Sequence, residues 1–246
     1  MGDVIVVLGC QDLLPRAKAQ AGVEEPQAHR GAVGESQVLR VGAHVSRGGV
    51  ERGVRQRALV TLEVGDGVAV EPHAVVGDGV VYVNLEDTNE VVVFDPKSLE
   101  VKKRFPIGVA KTPTGLAYDA KTKRLFIGCR NEPKMVVMDA TSGRVITSFA
   151  IGRGVDYAAF DPQAQLVFFS CGEGVLNVFH EKSADDYEDA GPVKTQAGAR
   201  TMAFDPKTKK IFLSAAEYLE TPAATPGGRP QRSIKPGSFV VLVVGK

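Results

Sequence analysis

TGLAYDAKTKRLFIG, residues 114–128, decides the fold. It reads as two short β-runs around a polar turn: Ala117-Tyr118-Asp119 closes the first run, Ala120-Lys121-Thr122-Lys123 bends the chain, and Leu125-Phe126-Ile127-Gly128 is the second. Asp at such a turn bonds nearby backbone amides and so competes with continuation of the strand. The phrase returns as Ala159-Phe160-Asp161-Pro162-Gln163 before Val167-Phe168-Phe169-Ser170, and as Ala203-Phe204-Asp205-Pro206-Lys207-Thr208-Lys209 before Ile211-Phe212-Leu213-Ser214. With Val81-Tyr82-Val83-Asn84, the second run occurs four times, at spacings of 44, 42 and 44 residues.

A third β-run follows each of these, at 91–94, 135–138, 176–179 and 239–243, and a fourth follows in three units, at 101–107, 145–151 and 187–193. Four short antiparallel strands per 42–44 residues, with turn chemistry between them, mark a β-propeller blade, a twisted sheet that buries its two faces against neighbouring blades. The expected fold is therefore all-β: a β-propeller of four recognisable four-stranded blades, an incomplete or truncated form of a seven-bladed ring. Tyr82, Phe126, Phe168 and Phe212 hold one position in the repeat and read as packing between blades. Asp95, Asp119, Asp139, Asp161 and Asp205 read as turn formers. The last unit lacks an outermost strand, and residues 3–8 (DVIVVL) are the N-terminal run with the character to supply it. An open set of blades would leave apolar edges, which favours oligomers.

The repeats, with phrases such as VYVN, VVVFD, VKKRFPIG and TGLAYDAKTKRLFIG, resemble YVTN-type repeat β-propeller proteins of bacteria, which are related to WD40-like and amine-dehydrogenase-like propellers. The resemblance covers about 72–246. It implies the fold, a periplasmic or exported setting and seven blades; the missing signal peptide and the missing blades depart from that pattern. It implies no single function, because such proteins include binders, surface proteins and enzymes.

Composition divides the chain. All 16 aromatic residues lie at or beyond Tyr82, and Arg outnumbers Lys 7 to 1 before residue 71 but is outnumbered 8 to 14 after it. Val, Gly, Ala and Arg make up 40 of the first 70 residues, few of them large enough to fill a core. The expected division is an atypical segment over 1–70, weak β or poorly ordered, and propeller blades over 71–246. Two readings of 1–70 stay open: a displaced reading frame joined to a genuine domain, and a weakly patterned β region with strands near 3–8, 37–45 and 58–70. Val7-Leu8-Gly9-Cys10 loosely matches a lipoprotein cleavage site, but no Lys or Arg precedes it and the apolar run is short. No stretch approaches the ~20 apolar residues of a transmembrane helix.

With 30 basic and 29 acidic residues there is no net field to gather nucleic acid or an anionic membrane. The expected partner is a protein or a small polar ligand over the channel, where loops enter the innermost strands and join the second to the third. The polar residues there are Asn84, Lys111, Arg130, Asp156, Glu173, Arg200 and Glu217, with Glu86, Asp87, Asn131 and Arg153 beside them. Arg130 and Arg200 have the planar fork that holds a carboxylate. Cys129 and Cys171 sit at equivalent places in consecutive blades, too far apart for a disulfide, and read as packing thiols. His29, His44, His73 and His180 lack metal-ligand spacing, and no nucleophile motif or phosphate loop is present. The expectation is a non-enzymatic binding scaffold without cofactor or metal. The alternative is a propeller enzyme or subunit, amine-dehydrogenase-like or a metal-dependent lactonase using Asp156, Glu173 and Glu217. The insertion at 219–237, with four Pro and three Gly, is expected to form an extended loop outside the ladder.

Overall fold

The computed structural model describes residues 4–9, 38–41, 60–63, 74–221 and 231–245. Strand β1 (Val4–Gly9) is followed by β2 (Val38–Val41) and β3 (Val60–Glu63), which pair antiparallel inside the expected runs. The readings of Cys10, His29, His44 and His73 lie outside the described residues. The chain forms two compact units, Met1–Arg16 with Pro72–Lys246, and Ala17–Glu71.

Side chains alternate across a strand, so an apolar run presents greasy surface on both faces of its sheet. Leu125, Phe126 and Ile127 are all 0% exposed, yet Leu125 and Ile127 belong to one core cluster and Phe126 to the next. The repeats meet this demand as four antiparallel sheets. Blade 1 is β4 (Ala74–Gly77), β5 (Val80–Leu85), β6 (Glu90–Phe94) and β7 (Val101–Pro106). Blade 2 is β8 (Lys111–Asp119), β9 (Arg124–Asn131), β10 (Lys134–Asp139) and β11 (Val145–Ala150). Blade 3 is β12 (Val155–Asp161), β13 (Leu166–Cys171), β14 (Val175–Ser183) and β15 (Asp186–Lys194). Blade 4 begins with β16 (Thr201–Asp205) and β17 (Lys210–Ala215). The chain then makes a hairpin of β18 (Tyr218–Thr221) and β19 (Gln231–Ile234) and returns as β20 (Val240–Gly245). β1 completes blade 4, pairing antiparallel with β20 from Val4 opposite Gly245 to Gly9 opposite Val240. The N-terminal run thus takes the edge position that the last repeat leaves empty.

The hairpin corrects one expectation. Residues 218–221 and 231–234 do pair, because Pro222, Pro226 and Pro230 fall between the two strands in sequence and Pro236 falls after them. Neither strand contains a proline, so every residue in them keeps its amide donor.

Three clusters of buried side chains fill the three junctions between consecutive blades. One aromatic pair recurs at each, formed by the second strand of one blade and the first strand of the next. The ring centroids are 5.4 Å apart for Tyr82–Tyr118, 5.2 Å for Phe126–Phe160 and 5.8 Å for Phe168–Phe204. First strands of consecutive blades lie side by side, and Gly115 permits the approach of β8 to β12, since a Cβ there would stand 3.0 Å from the Ala158 nitrogen. Cys129 and Cys171 are buried free thiols, each pushed up to about 12 by burial, so they pack rather than react. All five turn aspartates accept amides two residues on, as Asp95 does from Lys97 at 2.8 Å and Asp205 from Lys207 at 2.9 Å.

Two outcomes test this packing. Phe126→Ala should cost about 3–5 kcal/mol, about 10 °C or more in a thermal melt; Phe212→Ala, at the same repeat position but only half-buried, should cost less than half as much. Removal of residues 1–9 strips β20 of its edge partner and should lower the melting temperature by about 5–10 °C; an unchanged melt would exclude β1 from the blade.

Candidate functional site

The strands run further toward the channel-face loops than the sequence suggests. Lys111 therefore opens β8, Asn84 and Arg130 lie near the ends of β5 and β9, and Asp156 lies at the start of β12. Arg200 immediately precedes β16, Glu173 sits in the tight turn between β13 and β14, and Glu217 precedes β18. All seven are at the end of the blades where first strands begin and second strands finish.

Some of them are drawn together. The Arg130 guanidinium donates from Nη2 to Asp156 Oδ1 at 2.6 Å and from Nε to the Val155 carbonyl at 2.9 Å, while Nη1 lies 3.7 Å from Glu86 Oε1. Thr114 Oγ1 donates to Glu86 at 2.9 Å, and Thr201 Oγ1 to Asp156 Oδ2 at 3.4 Å. Glu86, Thr114 with Arg130, Asp156 and Thr201 thus link blades 1, 2, 3 and 4 in one polar network. Arg130 is committed to protein partners, so its fork is not open to a ligand carboxylate. Thr114 and Thr201 are the members that sequence reading missed. The signal for Thr114 was position, since it stands where Asp156 and Arg200 stand in the next two repeats; Thr201 directly follows Arg200.

Asn84 is buried and donates from Nδ2 to the Gly115 carbonyl of blade 2 at 3.1 Å, leaving Oδ1 buried without a partner. Ser170, its counterpart in blade 3, donates its hydroxyl to the Arg200 carbonyl of blade 4. These two side chains fasten consecutive blades.

Glu173 pairs with Arg153 at 3.1 Å, and that bond holds its carboxyl below the usual range. Glu217 pairs with Lys235 at 2.6 Å, next to the hairpin. Asp156, Glu173 and Glu217 consequently face three different cations and do not converge, and among the described residues no three His, Cys, Asp or Glu side chains are grouped to hold a metal. Lys111 and Arg200 are exposed, and neither cationic group has an ion-pair partner among the described residues.

The lack of an ion-pair partner for Arg200 among the described residues has a reason written in the repeat. The residue two places beyond Asn84, or its equivalent, reaches the residue at the register shift near the start of the next blade's first strand: Glu86 reaches Thr114, and Arg130 reaches Asp156. In blade 3 that residue is Gly172, which has no side chain to offer, and a Cβ built there would lie 3.7 Å from Arg200 Cδ.

Replacing Arg130 by Met keeps bulk but leaves Asp156 and Glu86 without their cation; a loss of about 1–3 kcal/mol is expected in denaturant unfolding, and Asp156→Asn should recover part of it in the double variant.

No family model and no curated protein sequence matches the chain. Among solved structures it is similar to hydrazine synthase of Kuenenia stuttgartiensis, with a TM-score of 0.52 and 13% identity over 61% of this chain and 45% of that one. It is also similar to BamB from Moraxella catarrhalis, with a TM-score of 0.48 and 9% identity over 69% of this chain and 41% of that one. The chain spans less than half the length of either. Among the described residues no helix is long and apolar enough to cross a membrane. The first likeness, to a β-propeller protein, together with four antiparallel four-stranded sheets, shows an all-β chain with the β-propeller fold.

Proposed function

We propose that the chain is a non-enzymatic β-propeller binding scaffold that takes a small anionic or polar ligand, a carboxylate in the first instance, at the end of the blades carrying Arg200. The observation that carries this reading is the exposed Arg200 guanidinium beside Gly172, at a position where the two preceding junctions satisfy their polar group with a side chain from the neighbouring blade. A planar guanidinium with no ion-pair partner among the described residues offers two parallel N–H donors to a carboxylate. Lys111 adds a second uncommitted charge at the same end of the blades. The Arg130–Asp156–Thr201 network holds the strands that present Arg200 and so acts as support rather than as contact. The resemblance of the repeats to YVTN-type bacterial propellers supports an exported protein, and exposed blade edges support self-association as a secondary property.

A panel of dicarboxylates and sugar acids measured by thermal shift and calorimetry should yield a binder. Arg200→Ala should weaken it about 10-fold or more, equivalent to a lost charge-assisted hydrogen bond pair. Gly172→Glu should weaken it similarly while retaining the arginine, because it restores the intramolecular partner found in blade 1. Affinity unchanged in both variants would reject the assignment.

A further inference from the structure

At the opposite end of the strands lies a group that the binding reading does not use. Glu181 on β14 is 1% exposed, and its Oε2 has no hydrogen-bond partner. Its place in the repeat is that of Ala140 in blade 2, which is also buried; the backbone amides match, Ala140 N donating to the Lys123 carbonyl at 3.0 Å and Glu181 N to the Gln165 carbonyl at 2.9 Å. Blade 3 therefore inserts a carboxyl where the fold is content with a methyl group.

Proton counting shows what that carboxyl needs. Thr122, in the turn after β8, has one hydroxyl hydrogen but lies 2.7 Å from Asp119 Oδ2 and 2.9 Å from Glu181 Oε1. Asp119 is 2% exposed and already takes the Lys121 and Thr122 amides, at 2.9 and 3.2 Å. The Tyr187 hydroxyl is likewise shared, 3.0 Å from Glu181 Oε1 and 2.9 Å from the Ala184 carbonyl. If both acids were ionised, two buried carboxylates would compete for one threonine proton, with the Glu181 Oε2 lone pairs unmet. If Glu181 keeps its proton on Oε1, the acid donates to Thr122 Oγ1, Thr122 to the Asp119 carboxylate and Tyr187 to the Ala184 carbonyl, so every hydrogen has a distinct acceptor; Oε2 is then a neutral carbonyl oxygen, which costs less to bury without a partner than a carboxylate oxygen.

We propose that Glu181 is carried as the neutral acid and closes a Glu181–Thr122–Asp119 hydrogen-bonded chain across the junction of blades 2 and 3, a proton latch that opens when the proton is released to solvent. Its surroundings fit. Burial pushes the Glu181 carboxyl up, and the neighbouring Asp119 adds to this against the opposing bonds from Thr122 and Tyr187. Tyr187 is itself raised by burial and by Glu181, so it stays a neutral donor. Arg124, which shares the Ala184 carbonyl with Tyr187, is committed elsewhere: Nη1 to Asp139 and Nη2 to Asp185, each at 2.8 Å, and Nε to that carbonyl. It does not neutralise the Glu181–Asp119 pair.

The sign follows from linkage. A carboxyl whose folded value is raised adds stability that is complete below the unfolded value, about 4.3, and is lost as pH rises through the folded one. The wild-type melting temperature should fall by about 2–4 °C or more from about pH 5 to about pH 9. E181Q, whose amide donates at every pH, should lose less than half as much. Independently of any variant, the side-chain carboxyl 13C shift of Glu181 in the wild-type protein should read as protonated at about pH 6, where an exposed glutamate is ionised. An ionised Glu181 carboxyl at that pH overturns the latch, and so do parallel wild-type and E181Q melting profiles. If E181Q fails to fold, the carbon titration decides alone.

Discussion

A four-stranded sheet that is apolar on both faces has no stable existence in water by itself, and covering each face with the next blade is the constraint from which the rest of the structure follows. The cover is specific. A ring on the second strand of one blade meets a ring on the first strand of the next, at 5.2–5.8 Å in the three junctions. To hold that contact the first strands must approach closely, and a side chain at Gly115 would stop them. Each junction then encloses its own cluster of buried side chains, so blade packing is a nearest-neighbour sum rather than one central core.

The polar chemistry obeys the same geometry. Because consecutive blades pack face to face, several polar side chains at the blade ends find partners one blade away: Asn84 with Gly115, Glu86 with Thr114, Arg130 with Asp156, Ser170 with Arg200. Glu173 and Glu217 are satisfied nearer home, by Arg153 and Lys235 of their own repeats. At Gly172 the same rule leaves Arg200 without the side chain that its counterparts Thr114 and Asp156 receive.

The fold was legible because its signal is periodic. The spacing of Tyr82, Phe126, Phe168 and Phe212, and the aspartates that turn each hairpin, report a local rule repeated four times, and the strands fall where that rule puts them. The N-terminal strand was legible for a related reason, as the last repeat ends without an edge. The site was less legible. Arg130 reads as a free fork in sequence, but its partners Asp156 and Glu86 lie 26 and 44 residues away by chain count and meet it only once blades 1 to 3 are stacked. The hairpin of β18 and β19 was hidden by neighbouring prolines, which mark where the ladder stops and not whether it exists.

Repetition also supplies an internal control that a single-core domain lacks. At each position the other blades show what the fold requires, so a departure from them needs its own cause. Gly172 departs from Glu86 and Arg130 by deletion, and the consequence is an exposed charge with no ion-pair partner among the described residues, which is cheap to maintain. Glu181 departs from Ala140 by insertion, and the consequence is a carboxyl without enough donors in a buried junction, which is expensive unless a proton accompanies it. The two departures lie at opposite ends of blade 3, and blade 3 contributes to both junctions that flank it. Strands of blade 3 carry Glu181 at one end and, at the other, Asp156 and the Ser170 hydroxyl that holds the Arg200 carbonyl, so one sheet bears a buried departure at a junction and borders an exposed one.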